Sequence, residues 1–274
     1  MNKLFRCILI AGLVLVISSG LKAQNDFSGA QSSLYDVPPR WLIDMPTAGT
    51  LPRGYFNICF RFYPNGGTLA STDIGLSHRF MLGISFGGEG VLSTDDPDWN
   101  SRFEFSTKFR IIDEMEFFPA VTAGFSSQGF GAWDSDFERY QYKSRGFYAV
   151  VSRSFYFYSW TSGWHAGINY SLENEIDNDN NINFFGGFDA TFKYNLALLL
   201  EYDAAFNDDW SDLPEGMKDK EKYSGKRYGY LNCAIKWLFA ENLEIEFLIK
   251  DLLVNRRESS TFSRGVRLTY IDSF

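Results

Sequence analysis

Chemistry in this chain has to start from two histidines, His78 and His165. His165 is followed by Asn169 and Ser171 at even spacing. In an extended strand even spacing keeps side chains on one face, so these three would look the same way. Serine hydrolysis needs a base within hydrogen-bonding reach of the nucleophile and a third group to orient that base. A single strand supplies these groups only in a row, and a nucleophile acting on lipid would have to point the other way. The sequence therefore predicts no catalytic residue and structural roles for both histidines. Asp177-Asn-Asp179-Asn-Asn181 imitates the start of a calcium loop, but Ile182 replaces the sixth-position glycine and Phe188 the twelfth-position acid. It reads as a polar hairpin turn. The stretch 207–226 gathers Asp208, Asp209, Asp212, Glu215, Asp219 and Glu221 around Trp210 and reads as a solvated loop, with divalent-cation binding as the alternative. GGEG (87–90) has no helix after it, so it is no phosphate cradle. Neither metal nor cofactor is expected.

The remaining charges are spread along alternating stretches. FEFSTKFRII (103–112) places Phe103, Phe105, Phe109 and Ile111 opposite Glu104, Lys108 and Arg110. A soluble sheet would bury the rings and wet the charges. A transmembrane barrel turns its apolar face to lipid and its polar face to a lumen.

The bulk numbers narrow the choice. The 274 residues are 45% hydrophobic and 18% aromatic, a share that suits strands and membrane boundaries. A net charge of −8 argues against nucleic acid, whose binding rests on cationic side chains. Lys3 and Arg6, the apolar run 7–17 and small residues up to Ala23 predict a secretory signal peptide over 1–23. Cys59 and Cys233 lie in strand-like stretches and do not suggest a disulfide framework, though one bridge would be available to an exported chain.

Residues 24–53 read as an irregular segment with Pro38, Pro39, Pro46 and Pro52, and 54–274 as one barrel. Twelve strands are expected, at 54–63, 68–77, 80–89, 102–112, 117–126, 146–157, 163–172, 182–194, 196–205, 227–239, 243–253 and 264–274. Their connections alternate between short (77–79, 113–116, 158–162, 195, 240–242) and mostly long and polar (64–67, 90–101, 127–145, 173–181, 206–226, 254–263). A transmembrane antiparallel up-and-down barrel has this layout, and an even count returns both ends to the periplasm. Phe80, Phe117, Tyr156, Tyr158, Trp160, Trp164, Trp237 and Phe239 sit near the short turns, as an interfacial girdle would. The closing Val266, Leu268, Tyr270 and Phe274 resemble an outer-membrane assembly signal. The expected setting is the outer membrane of a Gram-negative-type bacterium. Lipid, lipopolysaccharide and the assembly machinery are the expected partners there.

With the apolar face outward, seven cations face the lumen: Arg61, Lys108, Arg110, Lys193, Lys236, Lys250 and Arg267. Seven anions join them: Asp73, Glu104, Asp189, Glu201, Asp203, Glu244 and Glu246. A strongly ion-selective pore would favour one sign. Balance predicts charges paired across a narrow lumen, because an unpaired charge there is costly.

One irregular stretch is more particular. LIDMPTAGTLPRGYFNICFRFYPNGG (42–67) resembles the opening of the YjbH-like outer-membrane β-barrel proteins, through Pro46, Thr47, Ala48, Pro52 and Gly54. GLSHRFMLGISFGGE (75–89) is similar to their next hairpin. The resemblance implies a link to exopolysaccharide production. The expectation is thus a non-enzymatic envelope barrel associated with surface polysaccharide export or biogenesis. The alternative is a narrow porin-like channel for small solutes or sugars.

Overall fold

A computed structural model describes residues 38–94, 96–135, 137–175, 179–192, 195–208, 225–257 and 259–274. The signal-peptide stretch 1–23, Asp177 and Asn178 of the calcium-like motif, most of the acidic loop, Lys193 and Tyr194 lie outside the described residues.

Alternation becomes strand wherever it was expected. The elements are β1 (Tyr55–Tyr63), β2 (Gly67–Ser77), β3 (Phe80–Glu89), β4 (Asp98–Trp99), β5 (Glu104–Ile112), β6 (Ala120–Ser126), β7 (Phe130–Asp134) and β8 (Arg139–Tyr142). They continue with β9 (Gly146–Tyr156), β10 (Trp160–Tyr170), β11 (Asn183–Phe192), β12 (Leu196–Asp203), β13 (Tyr230–Ala240), β14 (Leu243–Lys250) and β15 (Ser263–Ser273). Twelve of these form one antiparallel barrel, closed where β1 pairs with β15 from Tyr55↔Ser273 to Phe62↔Val266. Closure pairs the backbone groups that hydrocarbon could not solvate. The other three are short pieces inside two long connections. β4 extends the far end of β3, and β7–β8 is a separate hairpin. Segments this short carry too little periodicity to show in the sequence.

The opening ambiguity resolves on β5. Glu104 and Lys108 are each 1% exposed, whereas Phe105 and Phe109 are 59% and 51% exposed. The rings therefore face outward and the charges inward, the arrangement of a membrane barrel.

The inside is not empty. Residues 40–51 form a tight hairpin within the lumen, with a Trp41↔Pro46 bridge and bonds from Leu42 N–H to the Met45 carbonyl and from Thr47 N–H to the Arg40 carbonyl. Four prolines around it remove ladder donors, which explains why the segment never became a thirteenth strand. Leu42 and Ile43 pack on Leu199, Ala234 and Leu248 of the wall. Met45 and Ala48 pack on Ala120, Tyr148, Val150 and Phe185, and Leu51 on Met81 and Ile271. These inward apolar positions match the hairpin rather than water. At Gly75 a Cβ would stand 2.0 Å from the Pro52 carbonyl oxygen, so glycine lets the chain press against the wall as it turns into β1.

Candidate functional site: the stopped lumen

Thr50 Oγ1 donates to the His78 carbonyl (3.1 Å) at a short turn, while the tip at Asp44 reaches residues near the long-loop ends of their strands. The hairpin thus enters from the short-turn side and crosses more than half the lumen.

The tip is held by its backbone and one carboxylate. Glu201 on β12 accepts from the N–H groups of Ile43 (2.9 Å), Asp44 (2.9 Å) and Met45 (3.1 Å), and from Asn232 Nδ2 (2.7 Å). The Asp44 carboxylate pairs with Arg61 and Lys250, each at 2.5 Å, and Arg145 donates to the Asp44 carbonyl (3.3 Å). Burial by itself would raise the Asp44 pKa, but Arg61, Lys250 and Arg145 together hold it well below the usual carboxylate range. Arg267 donates to the carbonyls of Ile43 (2.9 Å) and Leu42 (2.5 Å) and also pairs with Glu246.

The stem is held through its carbonyls. Lys108 Nζ donates to Arg40 (2.6 Å), Thr47 (3.1 Å) and Gly49 (3.2 Å), which uses all three ammonium protons. Arg110 Nε and Thr122 Oγ1 each reach the Ala48 carbonyl at 3.1 Å. The Ala48 N–H donates to Ser152 Oγ (2.8 Å), Ser152 bonds His165 Nδ1 (2.7 Å), and His165 Nε2 bonds Asp189 (2.9 Å).

That Ser–His–Asp chain differs from the set the sequence suggested. Asn169 instead donates to the Arg145 carbonyl, and Ser171 accepts from Glu173 N–H. Period-two reasoning finds partners along a strand but not across it, and Ser152 lies directly opposite His165 on β9. Its hydroxyl is buried and already bound to the hairpin.

The thirteen predicted lumen charges that are described all point inward, but their pairing differs from expectation. Lys236 does pair with Glu244 (3.5 Å) and Glu246 (3.3 Å). Asp73 is held by Asn57 (2.9 Å) and Ser106 (3.3 Å), Glu104 by Arg102 (2.7 Å) and Tyr140 (3.0 Å), and Asp203 by Arg145 and Asn183. Arg61, Lys108, Arg110, Glu201 and Lys250 bond the hairpin rather than one another across open space, and Arg267 divides its bonds between the hairpin and Glu246. Sequence reasoning missed Asp44, Arg145, Asn232, Thr122 and Ser152. The one available signal was a single acid within the apolar Leu42-Ile43-Asp44-Met45.

The opposite mouth is narrowed by β7–β8. The Phe130 ring lies under Arg61 (4.3 Å) and Lys250 (5.1 Å), and Arg139 pairs with Asp208 (2.8 Å).

Outside, the girdle residues stand around the short-turn rim. Trp160 stacks on Phe157 (4.2 Å) and Phe192 (6.0 Å), Trp164 on Phe188 (5.5 Å), and Trp237 meets Phe239 edge-on (5.1 Å). Phe117, Tyr156 and Tyr158 are exposed and Phe80 is half-buried. A second aromatic cluster, Phe86 with Trp99 (5.6 Å) and Phe103 (4.7 Å), marks the other rim. Val266, Leu268 and Tyr270 line the outer face of β15, and Phe274 donates its N–H to the Gly54 carbonyl (2.9 Å). Cys59 faces the lumen and Cys233 the lipid side, and both are free thiols, so no bridge joins them.

A closed antiparallel barrel, apolar outside and polar within, with aromatic belts at both rims, is an outer-membrane β-barrel. No protein-family model matches the sequence, and no curated protein matches it. Among solved structures the chain is similar to the KdgM porin, at 10% identity and TM-score 0.45 over 80% of this chain and 99% of that one. It is similar to the NanC porin at 8% identity and TM-score 0.42, over 80% and 99%. An outer membrane channel from Pseudomonas putida F1 is similar at 8% identity and TM-score 0.39, over 81% and 97%.

Proposed function

We propose that this protein is a non-enzymatic outer-membrane barrel acting as a narrow passage for small solutes, stopped against larger ones by its own N-terminal hairpin. The observation that carries this reading is the docked hairpin. Leu42, Ile43, Met45 and Leu51 are each 1% exposed or less, and a water-filled pore would have no use for the lumen leucines Leu199 and Leu248 that Leu42 and Ile43 meet. The test is planar-bilayer conductance of the refolded barrel, compared with a variant whose hairpin is undocked by Glu201→Gln and Asp44→Ala. Small or absent steps that grow at least tenfold on undocking support the reading. Wide, steady steps from the unaltered barrel would refute it.

A second reading, association with surface polysaccharide, draws support from the residues of the resemblance. Pro46, Thr47 and Ala48 build the hairpin, and Pro52 and Gly54 shape its turn into β1. Loss of exopolysaccharide in cells lacking the protein, restored by the wild-type chain, would favour it. Unchanged polysaccharide would remove it.

A further inference from the structure

The hairpin lies off-centre. A cleft of about 100 Å³, with polar groups set in a mainly apolar lining, remains between its Trp41 side and the wall from β13 through β15 and β1 to β6. The wall residues belong to neighbouring hydrogen-bonded rows, one of them running Thr269–Cys59–Ser71–Ser85. Barrel strands tilt about 35–45° from the axis, so such a row climbs as it crosses from strand to strand. The cleft accordingly winds from Lys236 and Glu244, toward the short-turn end, up to Ser126 and Gln128 at the long-loop end.

We propose that this cleft is the transit path, and that it takes small uncharged polyols of the three-carbon class. The inference rests on the passage reading above and names its substrate class. A cavity of about 150 Å³ takes up one benzene, so this smaller space suits one short polyol, and a hexose is too large. Ser71 in its middle section offers a hydroxyl that both donates and accepts, and Ser106, whose proton goes to Asp73, keeps a lone pair to accept, a match for a polyol. The cations at the lower end are paired, Lys236 with Glu244 and Glu246 and Arg267 with Glu246, so no excess of one sign attracts an ion there.

Cys59 lines the cleft and provides the probe. In a Cys7→Ser, Cys233→Ser background, the barrel is reconstituted into liposomes and its folding confirmed by heat-modifiable migration. Glycerol and glucose influx are then measured before and after treatment with a small water-soluble methanethiosulfonate. Glycerol should enter at least tenfold faster than through protein-free lipid, and glucose at the lipid rate. Modification of Cys59 should return glycerol to the lipid rate, while a Cys59→Ser barrel stays open and insensitive. Glycerol at the lipid rate through a folded barrel overturns the proposal, as does flux unchanged by complete modification, a Cys59 that never reacts, or glucose entering as fast as glycerol. Failure here, with conductance still rising on undocking, sinks the cleft alone. A barrel that conducts widely without undocking sinks the passage reading itself.

Discussion

Replacing Asp44 with alanine removes the one side-chain charge on the hairpin tip and leaves Arg61 and Lys250 facing each other without their shared anion. All three side chains are 10% exposed or less. Breaking a buried ion pair by deleting one partner costs about 3–5 kcal/mol, because the survivor stays desolvated and uncompensated. Each 1.4 kcal/mol is about a factor of ten, so the undocked fraction should rise roughly a hundred- to a few-thousand-fold. The hairpin should still be docked most of the time. Leu42, Ile43, Met45 and Leu51 each contribute about 1.5–3 kcal/mol by burial, and alanine at position 44 leaves them in place. The expected record is brief bursts of large current over the native background, with open probability raised at least a hundredfold. Adding Lys250→Met should recover part of the loss, since one stranded charge is then gone. An Asp44→Ala barrel with native open probability would refute the assignment of the tip carboxylate as the main lock.

Three more outcomes follow from the same contacts. Asp44 has its pKa lowered by docking, so its contribution is complete above the ordinary carboxylate value near 4 and fades as pH falls below it. Conductance should therefore rise as pH falls below about 4, and an acid rise of the same size in Asp44→Ala would exclude Asp44 as the controlling group. Lys108→Met keeps the volume but leaves the Thr47 and Gly49 carbonyls without their donor, at about 1–3 kcal/mol each if they stay buried, while the Arg40 carbonyl keeps the Thr47 N–H. Amide exchange across 40–49 should quicken at least tenfold while the strands remain protected. Phe105→Arg puts a cation on the lipid face and should destabilise the barrel by about 2–4 kcal/mol in urea unfolding from bilayers, whereas Ser106→Ala on the opposite face should cost less than half of that.

Period-two alternation needs only local information, and it was enough to place all twelve barrel strands; the sidedness of Phe105 and Lys108 and the short-turn girdle needed the layout of the connections as well. Alternating loop lengths likewise told which rim was which. Nothing local reveals what a lumen charge touches. Glu201 lies 157 residues from Asp44, and Arg267 lies 224 from Ile43, so neither contact leaves a trace at any sequence period. Balanced charges looked like pairs across an empty barrel because the occupant, residues 40–51, has no periodicity by which to announce itself. Four prolines marked that segment as something other than a strand, and its interior position followed only from closure. Once twelve strands make a ring, the chain before β1 either stays in water or enters the lumen. Apolar Leu42, Ile43, Met45 and Leu51 meeting apolar wall positions decide for the lumen, while Glu201 and Lys108 satisfy the backbone that this burial would otherwise leave unpaired.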